Sequence, residues 1–97
     1  MELTALQHGQ GMIEKSKQVI SRIVDGEAII LDTDTGYYFS LNWTGTDIWT
    51  MIEEGKTIGE VSSIMAARHG IEPEIIRRDV EELVADLKKQ QLVGDCE

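Results

Sequence analysis

Nucleophilic catalysis needs a Ser, Cys or Thr close to a histidine base that a carboxylate orients, and this chain has histidines only at His8 and His69. His8 lies in a stretch without hydrophobic periodicity. His69 directly precedes Gly70 at the end of an amphipathic segment, where a polar residue needs no catalytic reason. Both read as surface residues. Cys96 is the one cysteine, which leaves no disulfide within the chain and no thiolate cage for a metal. Neither His-Glu-x-x-His nor paired Cys-x-x-Cys spacing occurs. The glycines at 9, 11, 26, 36, 45, 55, 59, 70 and 94 assemble into no phosphate-binding or dinucleotide fingerprint. Glu53-Glu54 and the set Asp79, Glu81, Glu82, Asp86 remain as acid pairs, and they read as solvated helix faces. The residues therefore predict no catalytic site, no metal and no cofactor.

Composition narrows the partners. At 97 residues the chain suits a single domain with one modest core. Its net charge of -9 would repel a phosphate backbone, whose capture depends on Lys and Arg releasing counterions. Nucleic acid is thus a poor partner, whereas a neutral or basic peptide is tolerated or attracted. No apolar run approaches the roughly 18 residues that span a bilayer, and Met1-Glu2-Leu3 opens neither a basic stretch nor an apolar secretory core. A cytoplasmic, membrane-free protein is expected.

The elements that would position a binding site follow from periodicity. Residues 1–16, with Gln7, Gly9, Gln10 and Gly11, are read as a flexible arm, and 17–97 as the domain. Val19–Val24 is short and β-branched, Asp25-Gly26 is a strong hairpin signal, and Glu27–Asp32 returns antiparallel. After the turn cluster Thr33-Asp34-Thr35-Gly36, residues Tyr37–Leu41 form a third, aromatic strand. Alternation places Tyr37, Phe39 and Leu41 on one face and Tyr38 and Ser40 on the other.

Beyond Asn42 the period shifts to about 3.6 residues and three helices follow. Thr44 with Asp47 is expected to cap the first, with Ile48, Trp49 and Ile52 as its apolar face. Thr57 with Glu60 caps the second, which carries Ile58, Val61, Ile64 and Met65 and stops near Gly70. Pro73 suits the first turn of the third, whose stripe is Ile76, Val80, Leu83, Val84 and Leu87, with Lys88 and Lys89 at its C-terminal end. Strands followed by helices without βαβ alternation define an α+β domain of winged helix-turn-helix type, a three-stranded antiparallel sheet followed by three helices. Tyr37, Phe39 and Leu41 are expected to meet the stripe of the third helix.

An aromatic strand placed last before the helices can receive a peptide. If that strand is an edge, its unpaired backbone groups can bond an extended segment while sheet and helix walls form side-chain pockets. The alternative is that all three aromatics are simply core or cover.

The run Ile30 to Asn42, containing Gly36-Tyr37-Tyr38-Phe39-Ser40-Leu41-Asn42, followed by Gly45 and Ile48-Trp49, resembles the PqqD-like peptide-modification chaperones, also called RiPP recognition elements. Asp79-Val80, Leu83, Leu87 and Leu92-Val93 continue the pattern, so the resemblance covers roughly Val19 to Val93. It implies that the leader of a ribosomally made precursor peptide adds as a strand beside the third strand and lies against the third helix. Carried over by position, the contributors are Tyr37, Tyr38, Phe39, Ser40 and Leu41 on the strand, and Ile75, Ile76, Asp79, Val80 and Leu83 on the helix. Within the family the wording is most similar to the freestanding leader-recognition partner of lasso-peptide biosynthesis, which works with a separate leader peptidase. The sibling role is a peptide chaperone for a radical-SAM enzyme, as in pyrroloquinoline quinone synthesis. Family members often place Gly before the final Leu, whereas Gln90-Gln91 precede Leu92 here. A DNA-binding winged helix has the same parts, but Glu72 to Asp86 offers only Arg77 and Arg78 among six carboxylates. A scaffold that pairs the same edge with a second copy is the other rival.

Overall fold

The computed structural model describes residues 13–95. His8 and Cys96 lie outside them. Strands β1 (Ile13–Lys15), β2 (Val19–Val24), β3 (Glu27–Asp32) and β4 (Tyr38–Ser40) precede helices α1 (Trp43–Glu53), α2 (Ile58–His69) and α3 (Pro73–Lys89), and β5 (Val93–Asp95) follows. The main sheet is antiparallel in the order β2-β3-β4. Its hairpin turns through Asp25 at φ 53° and Gly26 at φ 82°, the paired positive angles that match the twist of the flanking strands. The expected α+β architecture of three strands followed by three helices is present.

A second ladder pairs β1 with β5 antiparallel. The stretch expected as an arm over 1–16 therefore has its last residues in regular structure, with Ile13 buried in the core. Isolated apolar residues of so short a segment carry no periodicity; only the distant partner, by the register Ile13↔Asp95 to Lys15↔Val93, makes it a strand.

The helix signals are mostly obeyed. Thr57 and Glu60 form a reciprocal capping box, and α2 stops at Gly70 in the left-handed conformation, φ 64°. Pro73 opens α3. The first helix is capped differently from expectation. Asn42, not Thr44, is its N-cap, accepting from the Gly45 N–H at 2.8 Å, and Asp47 reaches Arg68 instead. Asparagine is the stronger cap and already stands in extended backbone, so the helix starts at once after the strand. At the other end, Gln91 takes the left-handed angle, φ 62°, that glycine usually takes. The turn still closes by Leu92 N–H to Leu87 O at 2.9 Å, and the Gln18 side chain braces the Gln91 carbonyl at 3.1 Å.

The core lies between the inner sheet face and the helices. Val19, Ala28 and Ile30 share it with Ile48, Trp49, Met51 and Ile52 of α1, with Val61, Met65, Ala66, Ile76, Val80, Val84 and Leu87 of α2 and α3, and with Ile13, Leu92 and Val93. Phe39 and Leu41 pack against this core as expected, but Tyr37 is 71% exposed. Tyr37 precedes β4 and belongs to the turn, where its N–H is held by the Thr35 hydroxyl, so strand alternation does not carry it inward.

Trp49 is fully buried, and its indole N–H donates to Ser21 Oγ at 3.2 Å, which itself donates to Glu53 at 2.8 Å. Replacing Ser21 by Ala leaves that buried donor without its acceptor and should cost about 1–3 kcal/mol, read as a lower denaturant midpoint at unchanged slope. Unchanged stability would show that this bond contributes nothing. Gln91→Gly relieves a left-handed side-chain conformation, a gain of about 1–2 kcal/mol that the freer unfolded chain reduces to about 0.5. Calorimetric melting should show a small rise in Tm; a fall would assign the Gln91 side chain a stabilising role.

Candidate peptide-binding groove

Among the described residues β4 is an edge: the sheet ends with it, and its register to β3 is Ile29↔Ser40, Ile30↔Phe39 and Leu31↔Tyr38. Antiparallel ladders point the backbone groups of alternate residues toward the same neighbour. Asp32 N–H donates to Tyr37 O at 2.9 Å and Leu41 N–H to Ala28 O at 2.9 Å, so the odd-numbered residues face β3. By the same alternation, the N–H and C=O groups of Tyr38 and Ser40 face away from the sheet. An extended chain laid alongside would find these groups spaced for strand pairing.

Local sequence holds this edge in place from both ends. Before it, the buried Asp32 carboxylate accepts from Asp34 N–H at 2.9 Å and Thr35 N–H at 3.3 Å, a side-chain-capped turn that returns the chain at Gly36. After it, the buried Thr46 hydroxyl accepts from Ala28 N–H at 2.7 Å and donates to Leu41 O at 3.3 Å. Gly45 allows this approach: a Cβ there would stand 3.2 Å from Leu41 Cβ and 3.3 Å from the capping Asn42 oxygen.

Beside the edge runs a groove of about 360 Å³. Ser40 and Leu41 form one wall, Asp79 and Leu83 of α3 the other, and the start of α1 closes the end with Asn42, Thr44, Gly45 and Ile48. The groove thus unites Ser40, Leu41, Asp79 and Leu83 of the expected site. Tyr38 borders it from the outer sheet face, 72% exposed across from Leu31, and Phe39 lies beneath, half-buried against the core. Ile75 is 56% exposed one turn before Asp79. Ile76 and Val80 are elsewhere: both are buried in the core, where they can support the groove wall but cannot touch an occupant. Tyr37 stands out from the turn. Asn42, Thr44, Gly45 and Ile48 were not among the expected site residues; the preference of Asn for a helix cap is the signal that would have drawn α1 up to the groove.

The outer sheet face adds a feature not expected from alternation alone. Ile20, Val24, Ile29 and Leu31 line an apolar hollow of about 460 Å³ there, and an added strand would continue that face beyond Tyr38. Among the described residues no group of His, Cys, Asp and Glu could hold a metal ion, and no helix is long and apolar enough to cross a membrane. His69 is exposed, and Glu53 and Glu54 are engaged with Lys15 and Lys56.

Winged-helix architecture with an open strand edge beside a helix-walled groove defines the class of RiPP recognition elements. The chain belongs to the PqqD family: the family profile described as coenzyme PQQ synthesis protein D matches residues 27–93. Among solved structures it is similar to TbiB1 in complex with the TbiA(beta) leader peptide, at 30% identity and TM-score 0.80 over 84% of this chain and 94% of that one. A lasso peptide synthetase B1 complexed with the leader peptide matches at 22% identity and TM-score 0.80, covering 84% and 96%. The solution structure of the PqqD truncation of Methylobacterium extorquens PqqCD, a stand-alone RiPP recognition element, matches at 17% identity and TM-score 0.73, covering 89% and 92%. No curated protein sequence matches.

Amide hydrogen exchange tests the edge directly. In the free protein Tyr38 and Ser40 should exchange much faster than Phe39, whose N–H faces β3. Equal protection of Ser40 and Phe39 would mean that another segment already covers the edge.

Proposed function

We propose that the chain is a non-catalytic recognition element that binds the leader of a ribosomally made precursor peptide and delivers it to a leader peptidase or other modifying enzyme, in lasso-peptide biosynthesis. The observation that carries this reading is the open edge of β4 beside the α3 groove, with the outward backbone groups of Tyr38 and Ser40 and the apolar side chains Leu41 and Leu83 within reach of one extended peptide. The similarity to TbiB1, solved with a leader peptide at 30% identity, supports it.

Backbone pairing along β4 supplies affinity that is indifferent to side chains, and the groove supplies register by accepting an apolar leader residue between Leu41 and Leu83. Holding the leader raises the effective concentration of the precursor at the enzyme, which carries out the chemistry. Of the site residues, Tyr38, Ser40, Leu41, Ile75, Asp79 and Leu83 would touch the leader, Phe39 would support the strand, and Ile76 and Val80 would fix the rotation of α3. Tyr37 would reach only a leader that runs past the turn.

The match to the profile of coenzyme PQQ synthesis protein D favours a second reading, a peptide chaperone for a radical-SAM enzyme. The two differ in the enzyme recruited. Co-purification of the leader-loaded domain with a leader peptidase or with a radical-SAM enzyme separates them.

Titration calorimetry with the leader of its cognate precursor peptide should give a Kd of about 1 μM or tighter, near -8 kcal/mol, with a negative heat-capacity change. Leu83→Ala removes apolar contact in the groove and should weaken binding about tenfold while the circular dichroism spectrum is retained. Absence of binding by the intact domain would sink the leader reading, and full affinity in Leu83→Ala would place the leader elsewhere.

A further inference from the structure

The two flanks of α3 differ in charge. On the flank turned to α2, Arg77 lines a separate hollow with Gly59, Glu60 and Ser63 and is paired to Glu81 at 3.2 Å. Between the groove and the solvent crest, Ile75, Asp79, Glu82 and Asp86 follow one another at intervals of three and four residues, which aligns them in one row along the helix. Asp79 lines the groove itself, beside Leu83. None of the Asp79, Glu82 and Asp86 carboxylates has an ion-pair or hydrogen-bond partner among the described residues. Arg78 and Lys89 stand toward the solvent crest of the helix, and no ion pair forms from them to Glu82 or Asp86. An apolar groove with an open strand edge on one wall thus has one carboxylate, Asp79, on the other, continued toward solvent by Glu82 and Asp86, none of them in an ion pair among the described residues.

We infer that the leader taken by this groove is cationic: a Lys or Arg side chain follows the apolar anchor residue and lies along the row Asp79, Glu82 and Asp86. The inference rests on the leader-binding reading and names the chemistry that the site selects. An extended peptide paired to β4 advances about 3.3 Å per residue, and helical residues at i and i+3 or i+4 lie about 5–6 Å apart. Leader residues two apart, which share one face, therefore come past successive carboxylates in step. The apolar anchor enters between Leu41 and Leu83, and the next residues on that face meet Asp79 and then Glu82 or Asp86, according to strand direction. A leader with Glu or Asp at those places would bring like charges together at the groove mouth, which selects against it. The row also lies in the field of a chain of net charge -9, which draws a basic peptide toward it.

The test selects from a display library of random fifteen-residue peptides on the described domain within its full chain, once with the native protein and once with the triple variant Asp79→Asn, Glu82→Gln, Asp86→Asn. These exposed positions tolerate the isosteric amides. Peptides chosen by the native domain should protect the Tyr38 and Ser40 amides from exchange and be enriched in Lys or Arg at a fixed spacing from an apolar residue. Their affinity should fall about tenfold in the triple variant, and again between low and physiological salt. Selected peptides that protect the edge but show no basic bias and bind the variant equally well would overturn the charge inference and leave leader binding intact. Selected peptides that leave Tyr38 and Ser40 unprotected would overturn the groove itself, and the inference with it.

Discussion

A tryptophan buried without any exposed surface, yet with its polar atom satisfied, sets the position of everything around it. Trp49 is enclosed with its N–H donated to the Ser21 hydroxyl, and Ser21 in turn donates to Glu53 four residues further along the same helix. That arrangement ties α1 to the inner face of β2 at one end. At the other end Thr46 joins Ala28 of β3 to the last carbonyl after β4. A helix pinned at both ends cannot rotate or slide, so its N-terminus stays beside Leu41. The strand must therefore run into the helix with no loop, and no connecting segment is left to fold back over the β4 edge. The openness of that edge is a consequence of how the core is closed.

The fold was largely legible from residue types because most elements carry their own stop signals. Asp25-Gly26 dictates a hairpin, Thr57 with Glu60 begins a helix, Gly70 ends it, and Pro73 begins another; each works through a local geometry that does not depend on the rest of the chain. The β1 and β5 pair was not legible, because each is too short for a pattern and is a strand only by virtue of the other. Tyr37 was assigned inward by strict alternation, which fails where the strand has not yet begun. At Gln91 the chain takes a left-handed angle without glycine, and the turn nevertheless forms, since closure by Leu92 and the brace from Gln18 offset the cost of a left-handed glutamine.

The site was legible in kind but only partly in detail. An aromatic strand next to a helix predicts an edge and a wall, and the edge and wall are there. Which helical residues face the occupant depends on rotation about the helix axis, and a stripe of apolar residues at helical spacing contains both core and wall. Ile76 and Val80 lie at the centre of that stripe and are consumed by the core; Leu83 lies at its margin and reaches the groove; Asp79 lies just outside it and lines the mouth. Burial orders the four, and burial is a property of the assembled helices and not of α3 alone.

The same parts in a different electrostatic dress would serve another polymer. A winged helix that reads DNA must offer its last helix to phosphates. Here that helix places its paired arginine against α2 and leaves carboxylates beside the groove, so the surface that would meet a nucleic-acid backbone repels it. Strand addition suits such a surface well, because peptide backbone groups are neutral and their pairing costs no charge desolvation. Backbone pairing by itself, however, accepts any extended chain in any register. Register has to come from side chains, and the domain presents two kinds in adjacent positions: an apolar slot between Leu41 and Leu83, and a charge at Asp79 one helical turn away. An apolar slot discriminates weakly among hydrophobic residues, by about 1–3 kcal/mol per methylene-scale difference, whereas a like charge misplaced by a slip along β4 is penalised at once. Placing both next to an open edge would let a small domain without a deep pocket hold one peptide in one alignment, as the proposed function requires.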